Sequence, residues 1–149
     1  MSFVELLQES LIKVNLKGTD KFQAIEELLD LMVTNGVLSN KKQALKDCVD
    51  RENYLSTGLE KGLAVPHAKT RATNDLILAM GVSASGIEFD SLDGKPAHYI
   101  FLLLSPVNTS GPHIKVLSEI TKNFKNEQIF SKLGEANSAK DYLEIFRSI

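Results

Sequence analysis

The sequence predicts an α/β (α+β) domain in which helices pack on a small mixed sheet. Three observations carry this. The order of elements reads strand, two helices, three strands, three helices, a string that favours helices laid on a mixed sheet. Apolar residues switch between a spacing of two and a helical spacing as the chain proceeds. The length of 149 residues, with 43% hydrophobic residues, suits one domain able to bury most of its apolar surface.

Taken in order, Ser2 with Glu5 reads as a capping box that opens a short helix to about Gln8. Leu11 to Leu16 begins with an apolar pair and alternates from Ile12, as a half-buried strand does. Asp20 with Gln23 starts the next helix. Phe22, Ile25, Leu28, Leu29 and Met32 follow helical spacing, and Gly36 stands where a C-terminal glycine stop is expected. Asn40 with Gln43 opens a further helix, with Ala44, Leu45, Cys48 and Val49 on its inner face. Residues 54–62 carry loop signals, and Leu63-Ala64-Val65 is short and strand-like. Leu76 to Val82 and Ala97 to Leu104 have strand length and composition, and Asp93-Gly94 between them suits a tight turn.

After Pro112 the pattern is helical, with Ile114, Leu117, Ile120 and Phe124 on one face. A short segment around Ile129, Phe130 and Leu133 ends at Gly134. Ser138 with Asp141 then opens the last helix, which carries Tyr142, Ile145, Phe146 and Ile149. The sequence shows no internal repeat, low-complexity tract or Pro/Gly/Ser linker, so residues 1–149 are expected to form a single domain.

Several function classes are excluded at this level. A net charge of −2 from interspersed Lys and Glu provides no basic stripe, so nucleic acid is not an expected partner. Tyr99 to Leu104 is the longest apolar run, far short of the roughly 20 residues that span a bilayer. The first residues lack a basic segment followed by an apolar stretch, so no signal peptide is expected. Membrane insertion is not expected either. Cys48 is the only cysteine, which fits a reducing compartment, and the cytoplasm is the expected location. No Gly-rich loop ending in Lys-Ser/Thr, no histidine pair at metal spacing and no G-x-S-x-G elbow occur. Neither a metal nor a cofactor is expected.

Histidine is scarce enough for each position to be weighed. His67 follows a short apolar strand and Pro66. Proline cannot donate to a ladder and biases Val65 toward extended geometry, so the strand should stop there, with the imidazole at its end beside a loop. Gly58 and Gly62 upstream would let backbone come close to whatever the ring carries. Ser56, Thr57 and Lys69 offer donors for phosphoryl oxygens. A neutral imidazole is a competent nucleophile near pH 7. A loop histidine that merely caps a strand fits the same local context.

His113 follows Ser110-Gly111-Pro112, which looks like the start of a helix whose first N–H groups favour an anion. It could donate to a phosphoryl group held by another residue, or be a solvated first-turn side chain. His98, within a strand, is either buried with a partner or on a solvated face. Cys48 is expected in the core, without the electropositive setting of a reactive thiolate. Arg51 ends a helix, where a cation suits the dipole and where a planar fork could also grip phosphate.

These residues together resemble the fructose–mannitol class of phosphotransferase-system enzyme IIA, including its nitrogen-regulatory branch. The resemblance rests on Arg51-Glu52 spaced to Ser56-Thr57-Gly58, Gly62, Ala64 and Pro66-His67. It extends to Phe89-Asp90-Ser91-Leu92-Asp93-Gly94-Lys95-Pro96 with the strand ending Leu102-Leu103-Leu104-Ser105-Pro106, and to His113 with Leu117 opening a helix. It implies a three-layer α/β/α fold. It implies that His67 accepts a phosphoryl group from phospho-HPr and passes it to a cysteine of an enzyme IIB, without metal. By the same resemblance His113 is the supporting histidine, Arg51 stabilises the phosphoryl group, and Ser56 with Thr57 covers a hydroxyl position in that pocket. One departure stands out: the family often has Gly after the histidine, where this chain has Ala68, costly only if that position needs φ > 0. Three readings follow: a phosphocarrier in a sugar-uptake relay, a regulator whose phosphorylation controls binding to other proteins, and a scaffold without chemistry. The third rests on fold analogy alone.

Overall fold

A computed structural model describes residues 2–149. The elements are α1 (Phe3–Leu6), a 3-10 turn (Glu9–Leu11), β1 (Ile12–Lys13), α2 (Lys21–Thr34), α3 (Lys41–Tyr54), β2 (Leu63–Ala64) and β3 (His67–Thr70). They continue with β4 (Ile77–Ile87), β5 (Ala97–Pro106), α4 (Gly111–Phe124), α5 (Glu127–Leu133) and α6 (Ala139–Arg147). Helix starts follow the side chains that cap them. Ser2, Asp20, Asn40 and Ser138 each accept from the N–H three residues on, satisfying a donor that has no partner within the helix. Gly36 adopts φ +74° just past α2, as a C-terminal stop requires.

The sheet is mixed. β4 and β5 pair antiparallel at its centre, β1 lies parallel on β4, and β2 and β3 both run parallel to β5 along its other side. Side-chain alternation along the central strands divides the core into two. Ile77 and Ala79 of β4, with Ile100, Leu102 and Leu104 of β5, meet α2 and α3. Leu78 and Met80, with Phe101 and Leu103, meet α1, α4, α5 and α6. This is the three-layer arrangement that the resemblance implies, and period-two burial on both faces produces it.

Four expectations need correction. The first helix ends at Leu6, and a 3-10 turn takes Glu9–Leu11. The strand expected over Leu11 to Leu16 shrinks to Ile12–Lys13, although the Leu16 N–H still donates to the Val82 carbonyl at 2.9 Å. A strand not foreseen, β3, begins at His67 itself. Pro66 interrupts the edge without ending it, because its carbonyl accepts from Leu103 N–H at 3.1 Å and keeps the next residues in register. Finally, the buried face of α4 is His113, Val116, Ile120 and Phe124, while Ile114 is 65% exposed. The apolar spacing is equally helical from either start, and packing against the sheet selects the one that buries the imidazole.

Phe101 is fully buried, with edge-on ring contacts to Phe3, Phe124 and Phe146 that tie α1, α4 and α6 to the sheet. Phe101→Ala should therefore destabilise the fold by about 3–5 kcal/mol. Urea titration should show a lowered midpoint with the m-value little changed.

Candidate active site

Four segments converge at one end of β3. His67 opens that strand beside β5, in register with Leu103. Its Nδ1 lies 2.8 Å from the Val65 carbonyl oxygen, which can only accept, so Nδ1 carries the proton and Nε2 keeps the lone pair. His113 sits in the first turn of α4 with only 7% of its surface exposed. The two rings meet edge to face, with centroids 5.1 Å apart and planes at 69°. The solvated first-turn alternative for His113 is thereby overturned.

Arg51, in the last turn of α3, donates from Nη1 to the Leu55 carbonyl at 2.7 Å, engaging one donor of its fork. Lys69, two residues along β3 from His67, donates to the Ser110 hydroxyl at 3.0 Å. That hydroxyl makes no capping bond to α4, in contrast to Ser2 and Ser138 at their helix starts. A cavity of about 380 Å³ joins these groups, lined by Asp47, Asp50, Arg51, His67, Lys69 and His113. Both carboxylates have partners on α3 itself: Gln43 Nε2 donates to Asp47 at 3.1 Å and Lys46 pairs with Asp50 at 2.9 Å.

Burial pushes the His67 pKa below its ordinary value. The Val65 hydrogen bond opposes that shift, the Arg51 charge adds to it, and the Glu52 charge opposes it. His113 is pushed down to about 4, first by burial and then by the positive charges of His67, Lys69 and Arg51. At neutral pH both imidazoles are uncharged, in a cleft lined by the cations Arg51 and Lys69 and by two carboxylates whose charge is engaged on α3. Such a site offers a lone pair for attack and positive charge for an anion.

The three positions expected beside the phosphoryl group lie outside this cavity. Thr57 is buried, and its N–H and hydroxyl donate to the Glu52 carboxylate at 3.0 and 2.6 Å. Ser56 donates to the Phe89 carbonyl and accepts from Gly58 N–H at 3.1 Å. Gly62 turns the chain at φ +74°, and its carbonyl accepts from His98 and Tyr99 N–H. The Thr57 hydroxyl points inward because Glu52, 2% exposed, needs donors to offset its buried charge; Lys21 adds one at 3.4 Å and also pairs with Asp90. Ser56, Thr57 and Gly62 thus build the loop that carries the chain from Arg51 to His67.

The remaining candidates resolve simply. His98 is half-buried, its Nδ1 bonded to the Ser83 carbonyl at 2.8 Å. Cys48 is a core residue whose thiol burial pushes up to about 12. Ala68 adopts no positive φ, so its methyl group costs nothing there. Two contributors escaped the sequence reading. The Val65 carbonyl, being backbone, leaves no sequence signal. Ser105 touches His113 Nδ1 from β5, and its signal is a lone hydroxyl closing the run Phe101-Leu102-Leu103-Leu104. Among the described residues no cluster of three or more His, Cys, Asp or Glu is placed to hold a metal ion, and no helix is long and apolar enough to cross a membrane.

A family model described as phosphoenolpyruvate-dependent sugar phosphotransferase system, EIIA 2, matches residues 5–149. The chain belongs to this family. As an EIIA protein it is similar to the fructose-specific EIIA component of Haloferax volcanii, 34% identical over 93% of this chain and 90% of that one. It is also 34% identical to the fructose-specific EIIABC component of Bacillus subtilis, over 97% of this chain but only 23% of that longer protein. In three dimensions it matches the nitrogen regulatory protein IIA-Ntr of Neisseria meningitidis with a TM-score of 0.86 at 31% identity, covering 95% of this chain and 97% of the other. Family membership gives the EIIA chain a part in phosphoryl transfer.

Because folding depresses the His113 pKa, the unfolded chain binds a proton there that the folded chain refuses. Stability from this residue is full above about 6.5 and declines as pH falls toward about 4. His113→Gln should flatten that part of the profile. Urea midpoints at about pH 7 and about pH 5 should differ less for the variant than for the wild type.

Proposed function

We propose that His67 is the phosphoryl acceptor of an EIIA phosphocarrier, charged by phospho-HPr and discharged to an enzyme IIB. The observation that carries this is the Nδ1–H bond from His67 to the Val65 carbonyl, which leaves Nε2 as the lone-pair nitrogen of a ring lining the same cavity as Arg51 and Lys69. In the first step that lone pair attacks phosphorus in line, and the phosphorus–nitrogen bond to the donor histidine breaks. As the new bond forms, positive charge grows on the His67 ring, and the Val65 carbonyl accepting from Nδ1–H stabilises it. In the second step a thiolate of the IIB partner attacks, the bond to Nε2 breaks, and the lone pair returns to the nitrogen. Little covalent demand falls on the protein, so positioning and charge dominate. Arg51 and Lys69 offset the charge on the phosphoryl oxygens, and neutral His113 donates a hydrogen bond without competing as a nucleophile. The proposed location is the cytoplasm, where HPr would meet it.

The name of the Bacillus subtilis relative joins the A component to B and C components, which supports IIB as the destination. A second reading, that phosphorylated and unphosphorylated His67 bind regulatory targets differently, is favoured by the likeness to the Neisseria meningitidis protein along nearly the whole chain. Both readings share the chemistry at His67 and differ in where the group goes.

Incubation with phosphoenolpyruvate, enzyme I and HPr should place an acid-labile phosphoryl group on the wild type and none on His67→Ala. Labelling of His67→Ala together with loss in His113→Ala would overturn the assignment. Addition of a fructose-type IIB should then discharge the labelled wild type. Retention of the label in its presence would favour the regulatory reading.

A further inference from the structure

We propose that Ser105 is a positioning residue that holds His113 in the tautomer with the proton on Nε2, so that this ring donates to the phosphoryl group. The inference rests on the phosphocarrier reading above for its consequence, though not for its geometry. Ser105 lies on β5 directly across the ladder from Lys69, and its surface is wholly buried. Among the described residues its hydroxyl has one hydrogen-bond partner, the Nδ1 of His113.

A hydroxyl has one proton to place and a neutral imidazole has one proton on either nitrogen. Were Nδ1 to donate, the proton of the wholly buried serine would be left without an acceptor, and a buried unsatisfied donor is costly. With the hydroxyl donating instead, both atoms of the contact are satisfied and the imidazole proton moves to Nε2. The two cases differ in sign at the site. Nε2–H offers an anionic oxygen a donor, whereas a bare Nε2 would offer it a second lone pair. The choice is decisive because burial and nearby cations keep His113 neutral, so protonation of both nitrogens does not override it. The two histidines of the cavity are thus set in opposite tautomers by different acceptors and donors. Val65 pulls the proton to Nδ1 of His67, and Ser105 pushes it off Nδ1 of His113. One ring becomes the nucleophile and the other the donor.

The test reads the imidazole ¹⁵N shifts of His113 by long-range ¹H–¹⁵N correlation, alongside the rate of onward phosphoryl transfer. In the wild type His113 should show a protonated Nε2 and an unprotonated Nδ1. Ser105→Ala should give a mixture of tautomers and slow transfer roughly three- to tenfold, the effect of losing one hydrogen bond. Ser105→Thr, which keeps the hydroxyl, should restore both readings. A protonated Nδ1 on His113 of the wild type would overturn the assignment even if Ser105→Ala failed to fold. So would a folded Ser105→Ala with unchanged shifts and rate. Failure of the wild type to label on His67 would instead overturn the phosphocarrier reading, since the ring shifts judge Ser105 independently.

Discussion

Proline at position 66 brings no amide hydrogen to the edge of the sheet, and β2 and β3 are parted there although both lie along the same side of β5. The gap has two consequences at the site. It frees the Val65 carbonyl from the ladder to accept the imidazole N–H two residues on, and it restarts the strand at His67 so that the backbone carrying the ring is held by β5. A histidine on a free loop would have neither its tautomer nor its direction set. With the ladder resumed, the register also places Lys69 opposite Ser105, which brings one cation and the partner of the second histidine to the same place.

The loop that delivers the chain to that strand is held by a buried carboxylate. Glu52 follows Arg51 on α3, so its side chain turns inward where the arginine turns toward the cavity. Its charge is compensated by two donors from Thr57 and by Lys21 of α2. A buried pair of this kind adds little net stability, but it penalises any other path for residues 55–58 by leaving the carboxylate unpaired. The Thr57 hydroxyl serves here, behind the site.

Burial and charge work together on the histidines. Desolvation disfavours the imidazolium form of both rings, and the cations that would attract a phosphoryl group disfavour it further. The same arrangement that suits an anion therefore keeps the lone pairs available at neutral pH. The cost is carried by the two cores on either side of the sheet, where rings such as Phe101 and the buried faces of α2 and α3 fasten the layers whose edges meet at the cavity.

Much of this was legible in the residues. Capping pairs marked the helix starts and alternation marked β4 and β5, because local hydrogen bonding and periodic burial are written along the chain, while the family resemblance singled out Arg51, His67 and His113, the three side chains that meet in the cavity. What sequence alone left undecided lay in contacts between distant segments. The resumption of the edge strand after Pro66 depends on β5, the burial of His113 in place of Ile114 depends on which face of α4 the sheet accepts, and the inward turn of Thr57 depends on a carboxylate from the preceding helix. Each is a choice among locally equivalent conformations, and only the packed structure supplies the partner that separates them.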